Sequence, residues 1–226
     1  FQALAETDHP SYDGATVAVG KNAGYGASFI GPSVLIGEEA GANASGYYSV
    51  SDDESSSTGS AVKEMIAIGH QAAQNSSGID RPNGSIYIGT LAGANTKNAS
   101  YTNFIGYLAG YSASGLTAIE HNNFIGHKAG ENTRDTTYSN YIGFEAGKNV
   151  TGIDYGNAMG YGAAELASGC NYSNFIGYGA GHRAHDAEYS NIVGYYAGAD
   201  LHTIPINLFS LGCMLVETTV ATKQLS

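Results

Sequence analysis

The sequence predicts an all-β, parallel β-solenoid (a β-roll) of about 17-residue coils, assembled as a parallel homotrimer. Two observations predict the fold. The first is a recurring glycine: Gly20, Gly37, Gly69, Gly89, Gly106, Gly126, Gly143, Gly160, Gly177 and Gly194, with successive gaps of 17, 32, 20, 17, 20, 17, 17, 17 and 17. A fixed period with short insertions is the mark of a stacked repeat. The second is the strictness of the columns around that glycine. A Val, Ile or Met always precedes it, and an alanine always stands three residues after it, from Ala23 to Ala197. The composition agrees: 32 glycines and 17 tyrosines, with four prolines and no tryptophan, suit short strands and tight corners.

Within each coil the run Phe-Ile-Gly with its flanking Tyr and Asn reads as a strand, because aromatic and β-branched side chains fit a pleated surface. The Ala-Gly after it reads as a corner. The variable seven to ten residues that follow hold a second, weaker strand and a loop. Stacked in parallel at ~4.8 Å per layer, eleven coils make a rod of roughly 50 Å. The 32-residue gap is expected to hide a degenerate coil, with Tyr48-Ser49-Val50 as the remnant of its strand.

Side chains alternate across a strand. Asn103, Asn123, Asn140, Asn157, Asn174 and Asn191 therefore share a face with Ile105, Ile125, Ile142 and Ile176. Two flanking aromatic columns, begun by Tyr101 and Tyr107, lie on that same face. The asparagines and isoleucines are read as structural ladders. Stacked amides hydrogen-bond along the axis as in cross-β assemblies; a row of carbohydrate-binding amides is the competing use. The opposite face carries Tyr87, Phe104, Phe124, Tyr141 and Phe175. Both faces are rich in apolar groups, and parallel strands need not alternate only when covered on both sides. A thin solenoid buries one face itself, so these five aromatics are expected to form an oligomer interface. In the competing arrangement they point inward, with the Ile column in a crowded corner.

The repeat copies, with Val17-Ala18-Val19-Gly20 and Ile66-Ala67-Ile68-Gly69, resemble the head repeats of trimeric autotransporter adhesins. Copies such as Asn174-Phe175-Ile176-Gly177-Tyr178-Gly179-Ala180-Gly181 are similar to the repeats of phage tail fibres. The resemblance covers about residues 15 to 200. It implies a trimeric left-handed β-roll that projects from a cell or virion and binds a host surface.

Outside the repeat, residues 1–14 read as a lead-in without the basic start and apolar core of a signal peptide. Since the first residue is Phe1, the chain is expected to be a mature or partial one. Residues 15–200 are the solenoid, with an acidic, serine-rich loop at 51–60. Residues 201–226 are apolar but too short to span a bilayer, and read as a cap or a docking segment for a further subunit.

The net charge of −11, with only nine Lys and Arg, argues against nucleic acid as a partner. Charged residues are 13% of the chain, a low share that fits surface hidden between copies. No phosphate loop, dinucleotide fingerprint or nucleophile motif appears. His182 and His185 form a His-x-x-His pair in a variable loop, with no second pair at ligand spacing. His121 and His127 replace tyrosines in their columns, so packing accounts for them. Asp52-Asp53-Glu54 lacks the alternating pattern of a calcium loop. The nearest acidic pairs, Glu145 with Glu165 and Asp186 with Glu188, look like solvated charges. Cys170 and Cys213 are expected as separate thiols. Six Asn-x-Ser/Thr sequons, starting at Asn43, are expected by chance in so Asn- and Ser-rich a chain.

The sequence thus points to a structural or adhesive fibre protein without enzymatic activity or cofactor. It is expected at an extracellular or virion surface, as a homo-oligomer bound to a surface glycan or protein, with no nucleic acid and no membrane insertion. A self-assembling extracellular filament subunit and a polysaccharide-cleaving solenoid enzyme are the alternatives.

Overall fold

The computed structural model describes residues 16–27, 32–45, 47–50, 57–60, 65–77, 84–202 and 209–211. The expected lead-in, most of the acidic loop, Cys213 and nearly all of the C-terminal segment lie outside them. Strands follow in chain order: β1 (Val17–Val19), β2 (Val34–Ile36), β3 (Tyr47–Val50), β4 (Ser57–Ser60), β5 (Ile66–Ile68), β6 (Ile86–Ile88), β7 (Lys97–Ser100) and β8 (Asn103–Ile105). Then come β9 (Ser114–Glu120), β10 (Asn123–Ile125), β11 (Asn140–Ile142), β12 (Asn157–Met159), β13 (Asn174–Ile176), β14 (Asn191–Val193) and β15 (Phe209–Leu211).

Eleven of these form one sheet in the order β1-β2-β5-β6-β8-β10-β11-β12-β13-β14-β15. All its pairings are parallel and the repeat register is kept: Asn123 lies opposite Asn140, Phe124 opposite Tyr141 and Ile125 opposite Ile142. This is a parallel β-solenoid. A second ladder of single bridges runs along the other side of each coil, through Ser114, Arg134, Thr151, Ser168, His185 and His202.

Two irregularities are resolved. The long gap hides no coil: β2 pairs directly with β5, while β3 and β4 form a separate antiparallel hairpin. Tyr48-Ser49-Val50 therefore belongs to an insertion looped out of the stack, not to a degenerate layer. The 20-residue step between Gly106 and Gly126 is absorbed where β9 bulges against β7. Lys97 faces Ser114, yet Ala99 faces Ile119, so two steps along β7 match five along β9 and three residues are extruded. The ladder is regained at the next rung.

The expected interface requires correction. Tyr87, Phe104, Phe124, Tyr141 and Phe175 are buried at 0–1% exposure within the single chain, so they offer no surface to a second copy. The physical reason lies at the residue four positions after each anchor. There the corner folds back over the inner face of the strand. A Cβ on Gly110 would sit 2.3 Å from Phe104, on Gly130 2.2 Å from Phe124, and on Gly147 2.1 Å from Tyr141. Glycine leaves the space the ring fills. At Ala67 and Ala158, where the inward residue is small, the position four after the anchor is Ala73 or Ala164 instead, while the first coil keeps Gly24 with Ala18. The invariant alanines three after the anchor are also fully buried.

The anchor glycine has a different constraint. Its φ is near +135°, and a Cβ on Gly143 would lie 2.3 Å from the carbonyl oxygen of Gly160 in the next layer. No L side chain fits that approach, which is why the column is invariant.

Inside the corner that leads into each strand runs a polar column that the repeat pattern alone did not reveal. Ser139, Ser173 and Ser190 are fully buried. Ser139 Oγ accepts from Gly156 N–H at 3.0 Å, and Ser173 Oγ accepts from Ser190 N–H at 2.9 Å. Asn122 takes the same role, its Oδ1 accepting from Ser139 N–H at 2.7 Å. Ser139, Ser173 and Asn122 thus each satisfy a backbone donor of the following layer, which would otherwise cost ~1–3 kcal/mol. The signal was present as a small polar residue four before most anchors.

Candidate functional site

The outer face of the sheet is the most regular surface of the molecule. Asn103, Asn123, Asn140, Asn157, Asn174 and Asn191 form a continuous amide ladder, each Nδ2 donating to the next Oδ1 at 2.7–2.8 Å. Each interior amide thus commits one N–H and one lone pair of its oxygen to the ladder. Beside it, Ile125, Ile142 and Ile176 stand 37–40% exposed. Ile105 pairs in register with Ile125.

Aromatic ladders border the face on both sides. One runs Tyr101, His121, Tyr138, Tyr155, Tyr172, Tyr189, with ring centroids 4.7–5.0 Å apart. The other runs Tyr107, His127, Phe144, Tyr161, Tyr178, Tyr195 at 4.7–5.3 Å. His121 and His127 are stacked rungs, as packing predicts. The tyrosines of both ladders are exposed. The residues of the first ladder adopt φ near +55°, a left-handed conformation rare for bulky side chains. The layer spacing therefore sets the stacking distance, and the local backbone bends to hold each ring in its column.

The corner beyond this face carries alternating charge. Lys148 Nζ lies 3.0 Å from Glu145 and Lys128 Nζ 3.9 Å from the same carboxylate, while His182 Nε2 is 4.0 Å from Glu165. The acidic pair Glu145 and Glu165 is thus split, Glu145 facing two lysines and Glu165 the His182 ring. His182 and His185 also part company: His185 Nδ1 is 2.5 Å from Ser168 Oγ, and its ring stacks on His202 at 5.1 Å. No group of three metal-capable side chains occurs among the described residues. Nor is any helix of the described residues long and apolar enough to cross a membrane.

Cys170 is buried, free, and donates from Sγ to Ser168 O at 3.1 Å. Burial pushes its thiol pKa up to about 11, so it is a protonated core group at neutral pH. Tyr141 Oη is enclosed without a hydrogen bond of normal geometry. Burial raises its hydroxyl pKa, moderated by nearby Thr136 and Ser139, and keeps it neutral.

A concave surface lies on the opposite side, along the bridge ladder. Ser112, Ser114, Asn132, Arg134, Asn149 and Thr151 line an open groove of about 520 Å³. Asn132 Nδ2 donates to Asn149 Oδ1 at 3.2 Å across its floor. No protein-family model, curated protein or solved structure matches the chain.

Proposed function

We propose that this chain is the rod segment of an extracellular or virion-surface fibre, working as a parallel homotrimer that attaches to a host-surface glycan or protein. The observation that carries the reading is the outer sheet face, where exposed Tyr rungs between Tyr101 and Tyr195 flank a column exposed at Ile125, Ile142, Met159 and Ile176. Soluble single chains rarely leave so large an apolar surface uncovered. A cyclic axis parallel to the rod sets like rungs of neighbouring chains side by side at every layer, so the whole face is covered at once. The buried aromatic columns and hydrogen-bonded amides supply stiffness, since each coil is fixed by its neighbours. The similarity to adhesin heads and tail-fibre repeats supports the same use.

The test is solution mass by light scattering, for the wild type and for Ile142→Ser/Tyr161→Ser/Ile176→Ser. Wild type is expected at three times the 23.3 kDa chain mass, and the variant as a folded single chain. A wild-type single-chain species, or a variant of unchanged assembly, overturns the trimer. The filament reading draws on β1, an end strand of the sheet whose Val17 and Val19 are 52% and 56% exposed. Concentration-dependent fibres in negative stain select it.

A further inference from the structure

We infer that the groove along the bridge ladder binds an acidic polysaccharide of the uronate class, with Arg134 pairing a carboxylate of the sugar. This rests on the adhesive reading above and names its ligand and its site. The groove is lined only by hydroxyl, amide and guanidinium groups. These are the groups that recognise a polyhydroxylated ligand, while a guanidinium binds a carboxylate with two parallel hydrogen bonds.

The placement of charge sharpens the choice. The chain carries 20 acidic against 9 basic residues, yet the bridge-ladder column runs Ser77, Lys97, Ser114, Arg134, Thr151, Ser168, His185 and His202 without a carboxylate. It is a cationic and hydroxyl strip on an acidic rod. Arg134 is exposed at its middle, one layer from Ser114 and one from Thr151. Asp135 directly follows Arg134 in the chain, so the attractive field is local to the guanidinium rather than continuous. Such a surface disfavours a densely charged polyphosphate and suits widely spaced carboxylates separated by hydroxyls. Ser112, Asn132 and Asn149 occupy the same position of three successive coils, with Asn132 donating to Asn149, so a linear chain laid along the axis meets polar donors and acceptors over three rungs before the column turns apolar at Leu166.

The outer sheet face offers no comparable site, because from Tyr101 to Tyr195 its amide column is flanked by exposed Ile and aromatic rungs with no Lys or Arg among them. The groove is also far from the residues assigned to self-association in sequence register: the Ile ladder precedes each anchor, and the groove follows it by six to eight residues.

The experiment is calorimetric titration of the full chain with oligogalacturonate, a neutral malto-oligosaccharide of the same length, and short-chain polyphosphate. Arg134→Gln and Arg134→Lys are compared with wild type, with circular dichroism confirming that both fold. Oligogalacturonate is expected to bind, and Arg134→Gln to weaken it by about tenfold or more through loss of one charge-assisted pair. Arg134→Lys keeps the charge but loses the fork, and is expected in between. Equal binding by wild type and Arg134→Gln overturns the inference. So does equal binding of the neutral sugar, tighter binding of polyphosphate, or no binding of oligogalacturonate. Adhesion of the same wild-type protein to intact cells is measured in parallel. Adhesion without oligogalacturonate binding sinks the groove alone; oligogalacturonate binding without adhesion sinks the adhesive reading alone.

Discussion

Two aromatic columns in this molecule have nearly the same geometry and opposite surroundings. Inside the coils, Phe104, Phe124 and Tyr141 stack at 4.8 Å with planes within 4°. Outside, Tyr138, Tyr155 and Tyr172 stack at 4.8–5.0 Å with planes within 3–4°. The inner rings are sealed from solvent and the outer ones are nearly half exposed. Stacking distance therefore says nothing about energetic weight, because the layer repeat imposes it on both columns. What separates them is area removed from water and the backbone glycine that makes room for it.

The largest effect is expected on the inner column. Phe124→Ala deletes a ring held between Phe104 and Tyr141 and leaves a cavity that parallel strands cannot close, since their spacing is fixed by backbone hydrogen bonds. A loss of about 3–5 kcal/mol is expected. Chemical denaturation followed by tyrosine fluorescence checks it. A loss under about 1 kcal/mol means that the interior relaxes and the two columns are energetically alike.

A smaller effect tests the pairing of ring with glycine. Ala158 interrupts the inner column between Tyr141 and Phe175, and Ala164 stands where the aromatic coils carry glycine. Ala158→Phe alone places a ring against the Ala164 methyl and is expected to destabilise by about 1–3 kcal/mol. Ala158→Phe/Ala164→Gly removes that methyl and relieves a residue held at φ 54°. The double variant is expected to recover the loss, with a coupling of about 1 kcal/mol or more. Additive effects of the two substitutions mean that some other neighbour closes the space.

That pairing also marks how much was legible in the sequence. The period, the strand position, the register and the amide ladder all follow from the columns around the anchor glycine. The direction of the faces did not, because alternation places Phe124 opposite Ile125 without saying which side is inward, and both are apolar. The deciding information was in the chain nonetheless: Gly93, Gly110, Gly130, Gly147 and Gly181 accompany large rings, whereas Ala73 and Ala164 accompany alanines. Beyond the first coil, where Gly24 accompanies Ala18, this glycine varies with the size of the residue six positions earlier, and that reports contact between them. The hairpin of β3 and β4 was misjudged for another reason. Its residues 47–50 are strand-forming, and propensity cannot tell a strand within a stack from one looped out of it. The Arg134 groove was invisible because its lining residues come from three successive coils, in variable segments that align only once the layers are stacked.

The smallest intrinsic effect belongs to the outer column, and there the two columns can be made to diverge most clearly. Tyr155→Ala removes two stacked contacts, to Tyr138 and Tyr172, on a side chain 48% exposed. In an isolated chain, water already covers much of that ring, so the loss is expected to be below about 1 kcal/mol. In an assembly closed over this face, the same ring is desolvated, and its removal acts on association rather than on folding. The two contributions separate by concentration: unfolding midpoints of wild type and variant converge at high dilution and part as protein concentration rises. Convergence at every concentration would mean that the outer tyrosines serve neither folding nor self-association. A large loss at high dilution would mean that the outer column carries folding energy in the way the inner one does.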